Sequence, residues 1–281
     1  MNDTSQVVSA DVQDQPLPDD APKRAKVEVA LQGQYGPQVD EMLAQLGAPQ
    51  SNTLKVNQDK TFGLPDGTSS DGPLPFVIVD FIAENRWYPD AFNRNVNKPP
   101  GCAASGPKED NLVPWDSSPD RQADACKTCE KNQWGSDPNG GAGKACSNHR
   151  LLALMDPLAE PDAPLIRLRT SPTAIRQFEA YMRQLLKVYN KMPFQVVTYI
   201  GFDPSSQYPS LRFGNPAPLE NDEPLNIGGK QVDGRLLVAT AASRRGEARE
   251  LLMSEPDFTE RVKQNPRQAP KAAQGSRRAA A

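Results

Sequence analysis

The sequence predicts a mainly β chain with helices, an α+β protein, on three observations. Apolar residues gather in short runs rich in β-branched and aromatic types, the strongest being PFVIVDFIA at 75–83. One segment, opened by Ser171-Pro172 and closed by Met192-Pro193, carries a clear helical stripe. After the first strong strand comes a long Gly-, Asn-, Ser- and Pro-rich segment that contains all four cysteines of the chain.

Residues 1–34 are polar, acidic and rich in Pro and Asp, which predicts disorder. GPQVDEMLAQLG at 36–47 predicts a short amphipathic helix, with Gly47 as its stop signal. Residues 53–63 alternate weakly and suit a strand pair around Leu54, Val56 and Phe62. The strand at 75–83 leads into ENRWYPDAFNRN, which reads as a polar loop, and then into the cysteine segment. Strand character returns at 150–156 and at 164–169, where a period of two puts Arg167 and Arg169 on one face and Ile166 and Leu168 on the other.

Ser171 reads as a helix N-cap and Pro172 as its first residue. Ile175, Phe178, Met182, Leu185 and Tyr189 recur at spacings of three and four, so that one stripe faces a core. FQVVTYIGFD at 194–203 and YPSLRFG at 208–214 are two further strands, joined by a turn at DPSSQ. Residues 233–253 have weaker helical character, and 255–264 add a turn or two. The tail from Asn265 is expected to be disordered.

Short strands with a single strong helix between the third and fourth suit an OB-like five-stranded barrel. They do not suit a doubly wound sheet, which needs several crossover helices. The domain plan is a disordered acidic N-terminus at 1–34, an OB-like domain at 35–260 and a disordered basic tail at 261–281. The domain carries a zinc-binding insertion at about 99–150 and C-terminal helices at about 233–260.

The cysteine segment has little apolar surface to order it, and a thiolate-bound Zn²⁺ is the usual remedy. Two ligand sets fit the spacing. One is Cys102, Cys126, Cys129 and Cys146; the other replaces Cys102 with His149, as C-x2-C-x16-C-x2-H. A pair of disulfides would need an oxidising compartment, and the first residues have neither the basic nor the apolar part of a secretory signal. A redox C-x-x-C normally opens a helix after a strand, whereas this one lies between loops. Four protein ligands leave no open position, so one structural zinc is expected, with no reaction at the metal.

The net charge of −3 gives no bulk signal for nucleic acid. Its distribution is uneven: residues 1–22 carry acids and no base, and residues 261–281 carry bases and no acid. No apolar run approaches membrane-spanning length, so a soluble, cytoplasmic protein without a membrane partner is expected.

Enzyme readings fare poorly. The single histidine, His149, lies three residues from a metal-ligand candidate, which leaves none for a Ser-His or Cys-His pair. GGAGKA is not a phosphate loop, because Pro138 and Ala145 stand where that loop needs Gly and Ser or Thr. Carboxylates are scattered, without the spacing of a two-metal nuclease.

Cys126-x-x-Cys129, Asn132-x-Trp134-Gly135-Ser136 and Gly141-x-Gly143-Lys144-x-Cys146 precede a basic residue and an apolar strand. Together with Lys98-Pro99-Pro100-x-Cys102 and the strand from Phe194, this run resembles zinc-containing OB-fold single-stranded DNA-binding proteins of tailed bacteriophages and prophages. The resemblance covers about residues 53–215. It implies a protein that coats exposed strands in phage replication or recombination, in the host cytoplasm, beside replication or recombination proteins. Many such binders end in an acidic partner-recruiting tail, whereas this chain ends in a basic one.

A strand-binding role needs cations for phosphate and rings on which bases stack. The candidates are Arg86, Trp87, Tyr88, Trp134, Lys144, Arg150, Arg167, Arg169, Tyr199 and Arg212. Each has an ordinary alternative, since a ring can pack in the core and an arginine can lie on a solvated strand face. The rival functional reading is a zinc-stabilised structural or adaptor protein of a virion or replisome that does not touch nucleic acid.

Overall fold

The computed structural model describes residues 52–90, 96–219, 224–255, 258 and 261–262, with backbone only at 96–97 and 261–262. The expected disordered N-terminus, the helix at 36–47 and nearly all of the basic tail lie outside the described residues. The rest is an α+β fold, mostly strands with three helices.

The strands are β1 (Thr53–Val56), β2 (Phe62–Gly63), β3 (Ser69–Ser70), β4 (Leu74–Trp87), β5 (Val96–Asn97), β6 (Cys102–Gly106), β7 (Cys146–Met155) and β8 (Ile166–Arg169). Helix α1 (Ile175–Lys187) follows, then β9 (Val196–Phe202), β10 (Leu211–Pro218), β11 (Leu225–Ile227) and β12 (Lys230–Val232). Helices α2 (Gly234–Ser243) and α3 (Arg245–Leu252) come next, and β13 (Arg261–Val262) is last.

Nine strands form one curled sheet in the order β10-β9-β4-β7-β8-β1-β2-β3, with β6 also paired to β4. The expected count was five. The end strands β10 and β3 do not pair with each other among the described residues, so the curl describes half a barrel. The other two sheets are hairpin-sized: β11 with β12, and β13 with β5.

The 14-residue strand β4 organises the fold. Its start pairs with β9, its end pairs with β6, and β7 runs along its other edge. Both of its faces are covered, which explains the near-continuous apolar run at 76–82. Phe76 and Ile78 join Leu152, Leu154, Leu168 and Ile200 beneath Phe178, Met182 and Leu185 of α1. Val77, Val79 and Ile82 join Leu151, Ala153 and Val197 beneath Ala241, Ala248 and Leu252 of α2 and α3. The register shifts between Ile78 and Asp80, so Val79 is an extra residue that leaves both cores correctly faced on either side of it.

Helix α1 carries Phe178, Met182 and Leu185 of the stripe read from the sequence on its buried face, but it ends at Lys187, which leaves Tyr189 exposed beyond it, and its entry differs too. Pro172–Ala174 form a 3-10 turn first, and the Ser171 hydroxyl meets the Thr173 hydroxyl at 2.9 Å in place of a capping bond. The helical region at 233–253 is two helices broken at Arg244; Asp233 caps the first by accepting from the amides of Arg235 and Leu236. Among the described residues no helix is long and apolar enough to cross a membrane.

Candidate functional site

The loop expected after Ala83 is strand. Residues 84–87 extend β4, and this polar end is where the four cysteines meet. Trp87 lies opposite Cys102 on β6 and opposite Cys146 on β7, so both cysteines open their strands at one end of the sheet. Cys126 and Cys129 arrive from the intervening loop, anchored by the Cys126 amide donating to the Leu112 carbonyl at 2.9 Å.

Side chains of the knuckle hold its own backbone. Asn132 Nδ2 donates to the Cys126 carbonyl at 2.9 Å, and Gln133 Nε2 donates to the carbonyls of Lys127 and Cys129, each at 3.0 Å. The Ser136 hydroxyl donates to the Lys131 carbonyl at 2.9 Å. Gly135 sits at φ +85°, where a side chain would be strained, and its amide donates to the Gly143 carbonyl at 2.8 Å. The glycines therefore fold this segment back on itself.

All four cysteines are free thiols, buried to 6–8 % exposure, and they line one cavity of about 10 Å³. That volume is about one water-sized sphere. Burial pushes the Cys126 thiol up to about 11 and the Cys146 thiol up to about 12, and proximity to the other cysteines adds to both. Burial raises Cys102 as well. Without a cation the Cys126 and Cys146 sulfurs therefore stay protonated at neutral pH. Among the described residues no three Cys, His, Asp or Glu side chains stand at ligating spacing. Four buried sulfurs match a soft divalent ion in number and chemistry, though their spacing in this structure is not that of a ligated set.

A chain of amides borders this cavity. Asn85 lies opposite Asn148, whose Nδ2 donates to Asn85 Oδ1 at 2.6 Å and to Asn132 Oδ1 at 3.2 Å. Lys144 Nζ reaches the same Asn132 oxygen at 3.3 Å. Asn85 Nδ2 is buried without a hydrogen-bond partner among the described residues, and the Asn85 side chain beside Cys126 favours its thiolate against the effect of burial. His149 is elsewhere. It lies opposite Glu84, three positions from Cys146 and so on the other face of β7, and its Nδ1 contacts the Thr170 carbonyl at 2.7 Å. Burial depresses its pKa to about 4.

The ten nucleic-acid candidates separate into distinct places. Trp134 projects from the knuckle at 79 % exposure, with Lys144 Nζ 5.4 Å from its ring centre. Trp87 is half-buried beneath Lys131, whose Nζ is 5.9 Å from that ring. Tyr88 follows it and is exposed. These rings and ammonium groups share the cysteine end of the sheet.

Four arginines face carboxylates. Glu84, 1 % exposed, accepts from Arg86 Nη2 at 2.8 Å and from Arg169 Nε at 2.7 Å, and Arg167 Nη2 stands 3.9 Å away. Burial alone would raise the Glu84 pKa, but Arg169 and Arg86 overcome it and hold the group below the usual carboxylate range. Arg150 Nη2 bridges Glu109 and Glu179, each at 2.7 Å. Tyr199 packs against the second core. Arg212 lies on β10, at an open groove of about 440 Å³ shared with Gln177, Gln184 and Asp203 of other elements.

Sequence reasoning did not single out Glu84, Asn85, Asn132 or Asn148 as site residues. Only Asn132 stood inside a recognised motif. The others act largely through partners far along the chain, Glu84 on Arg169 besides its near neighbour Arg86, and Asn85 and Asn148 on each other, which local pattern does not reveal. Comparison with protein-family models, curated proteins and solved structures finds no match for this chain, so the reading rests on its own residues.

Proposed function

We propose that this chain binds single-stranded DNA with little sequence preference, through the cysteine end of its curled sheet. The observation that carries the reading is the pairing there of exposed Trp134 with Lys144, beside Trp87 with Lys131. An aromatic face next to an ammonium group offers stacking for any base and neutralisation for its phosphate. Together with the phage-type motif run, this supports a protein that coats exposed strands in phage replication or recombination. On this reading the curled sheet is the remnant of an OB-like barrel.

One structural Zn²⁺ would be held by Cys102, Cys126, Cys129 and Cys146. When bound, it supplies thiolate cross-links that order the knuckle and set the position of Trp134. Cys102 is chosen over His149 because it lines the cavity and His149 lies on the opposite face. The zinc does no chemistry on this reading, and the chain is not an enzyme.

The test is fluorescence anisotropy of a labelled, unphosphorylated oligonucleotide across a salt series. Binding should weaken steeply as salt rises, as counterion release requires. No binding at low salt would sink the proposal, and preference for duplex would redirect it. One observation favours the rival adaptor reading: Arg86, Arg150, Arg167 and Arg169 are already engaged by carboxylates. An adaptor would keep a protein partner and show no anisotropy change with any oligonucleotide.

A further inference from the structure

We propose that the arginine cluster around Glu84, on the sheet face opposite the cysteine cavity, is a binding site for a phosphate monoester dianion. Register places the cluster. Glu84 lies opposite His149, Leu151 lies opposite Arg169, and Ala153 lies opposite Arg167. Alternation along β4, β7 and β8 then brings Glu84, Arg86, His149, Arg167 and Arg169 to one face.

The charge count leaves that face incomplete. Arg86, Arg167 and Arg169 bring three positive charges against the single carboxylate of Glu84. His149 is neutral there at physiological pH, because burial disfavours its charged form. Asp80, further along the face, is already bound to Arg249 of α3 at 2.6 Å, and the Glu255 carboxylate, which accepts from the Ser117 hydroxyl at 2.8 Å, keeps its charge but makes no ion pair with the three arginines among the described residues. Among the described residues, contacts thus leave two positive charges of the cluster without a paired anion.

The donor count agrees. Arg86 Nη2 and Arg169 Nε are used on Glu84, and Arg167 Nη1 donates to the Ser254 hydroxyl at 3.3 Å. Among the described residues, Arg86 Nε, Arg167 Nε and Arg167 Nη2 are buried and meet no acceptor, the last lying 3.9 Å from Glu84, beyond hydrogen-bond reach. Arg86 itself is 8 % exposed. A buried donor without an acceptor is costly, and a buried unmatched guanidinium more so. One oxyanion of charge −2 would answer both deficits, and guanidinium forks match phosphate oxygens.

The same counts favour a terminal phosphate over a mid-strand one. A phosphodiester brings one charge and two bulky ester arms to a cluster whose arginine side chains are only 10–37 % exposed. A monoester brings two charges, three free oxygens and one arm, which can leave past Arg169, the most open of the three at 37 % side-chain exposure. Inorganic phosphate, a nucleoside monophosphate and a phosphorylated strand end share this chemistry. The strand-end form rests on the strand-binding reading, whereas the small-phosphate forms do not.

The test uses the full chain at fixed ionic strength. Inorganic phosphate and a nucleoside 5′-monophosphate are titrated by calorimetry against a chloride control. A 5′-phosphorylated oligonucleotide is compared with its 5′-hydroxyl twin by anisotropy. Both small phosphates should bind, and the terminal phosphate should tighten strand binding by about tenfold, as a charge-assisted contact implies. Arg167→Met should abolish small-phosphate binding and bring the ratio of the two oligonucleotides to about one. Arg169→Met, at the open edge, should do the same and serves if the first variant fails to fold. Phosphate heats no different from chloride, or undiminished in both variants, overturn the site as an adventitious ion only. Phosphate binding with no affinity for either oligonucleotide upholds the site and overturns the strand-binding reading instead.

Discussion

Replacing Glu84 with Gln tests the physics of the arginine cluster most directly. The carboxylate is 1 % exposed and is the only anion contacting Arg86, Arg167 and Arg169 among the described residues. Removing one partner of a buried ion pair costs about 3–5 kcal/mol, since the other charge stays buried. The Arg169 contact is discounted because that side chain is more than a third exposed and water screens it. The Arg86 contact, with a side chain 10 % exposed, carries most of the effect. The expected loss is therefore about 3 kcal/mol, at the lower end of that range.

Urea unfolding followed by tryptophan fluorescence reads this loss directly. With a slope of about 2.5 kcal/mol/M, the midpoint should fall by about 1 M. A fall below about 0.3 M would mean that the cluster is solvated and carries no buried charge. The double variant Glu84→Gln with Arg86→Met should recover part of the loss, because the unpaired charge goes with the arginine. The pH dependence supplies a second reading. The folded pKa of Glu84 lies below its ordinary value of 4.5. Its stabilisation is thus fully present above pH 4.5 and disappears as pH falls through the folded value. The wild-type midpoint should drop more steeply below pH 4.5 than that of Glu84→Gln.

Four further outcomes are expected. Elemental analysis should find about one zinc per chain, and Cys126→Ser should lower metal content and stability together; Cys102→Ser should lose metal and His149→Ala should keep it. Trp134→Ala should weaken oligonucleotide binding by about tenfold or more, the usual effect of one stacking ring, while leaving the urea midpoint unchanged. Phe178→Ala should cost about 3–5 kcal/mol in urea unfolding, since the ring is 1 % exposed and packs edge-on against Phe81 and Phe213 at 5.1 and 5.2 Å. In metal-free protein, stability should fall as pH drops from 6.5 towards the depressed His149 value of about 4, because only the unfolded chain then takes up the proton, and His149→Asn should flatten that slope.

The elements legible in the sequence were those whose own residues carry their pattern. Helix α1 shows its stripe because one face meets the core and the other meets water. The apolar half of β4 shows itself because helices bury both faces. Strand β6, CAASG, was not legible: its small residues have little β-propensity, and pairing with β4 makes it a strand. The hairpin of β11 and β12 was missed for a similar reason, since only Ile227 among its residues is fully buried.

The polar half of β4 explains why the site was harder to read than the fold. Glu84, Asn85 and Arg86 resemble a loop because isolated polar residues leave a strand when no partner awaits them. Here partners await on both faces: Asn148 and the cysteine cavity on one, Arg167 and Arg169 on the other. Asn148, Arg167 and Arg169 come from β7 and β8, more than sixty residues on. Period-two alternation did predict that Arg167 and Arg169 share a face. It could not say that Glu84 occupies that face, which turns two apparently free cations into members of a buried cluster. The sequence signal for a cationic surface was therefore a signal for a charge network in which, among the described residues, three arginines share one carboxylate. For such a network, the acceptor that would complete it says more about function than the number of arginines.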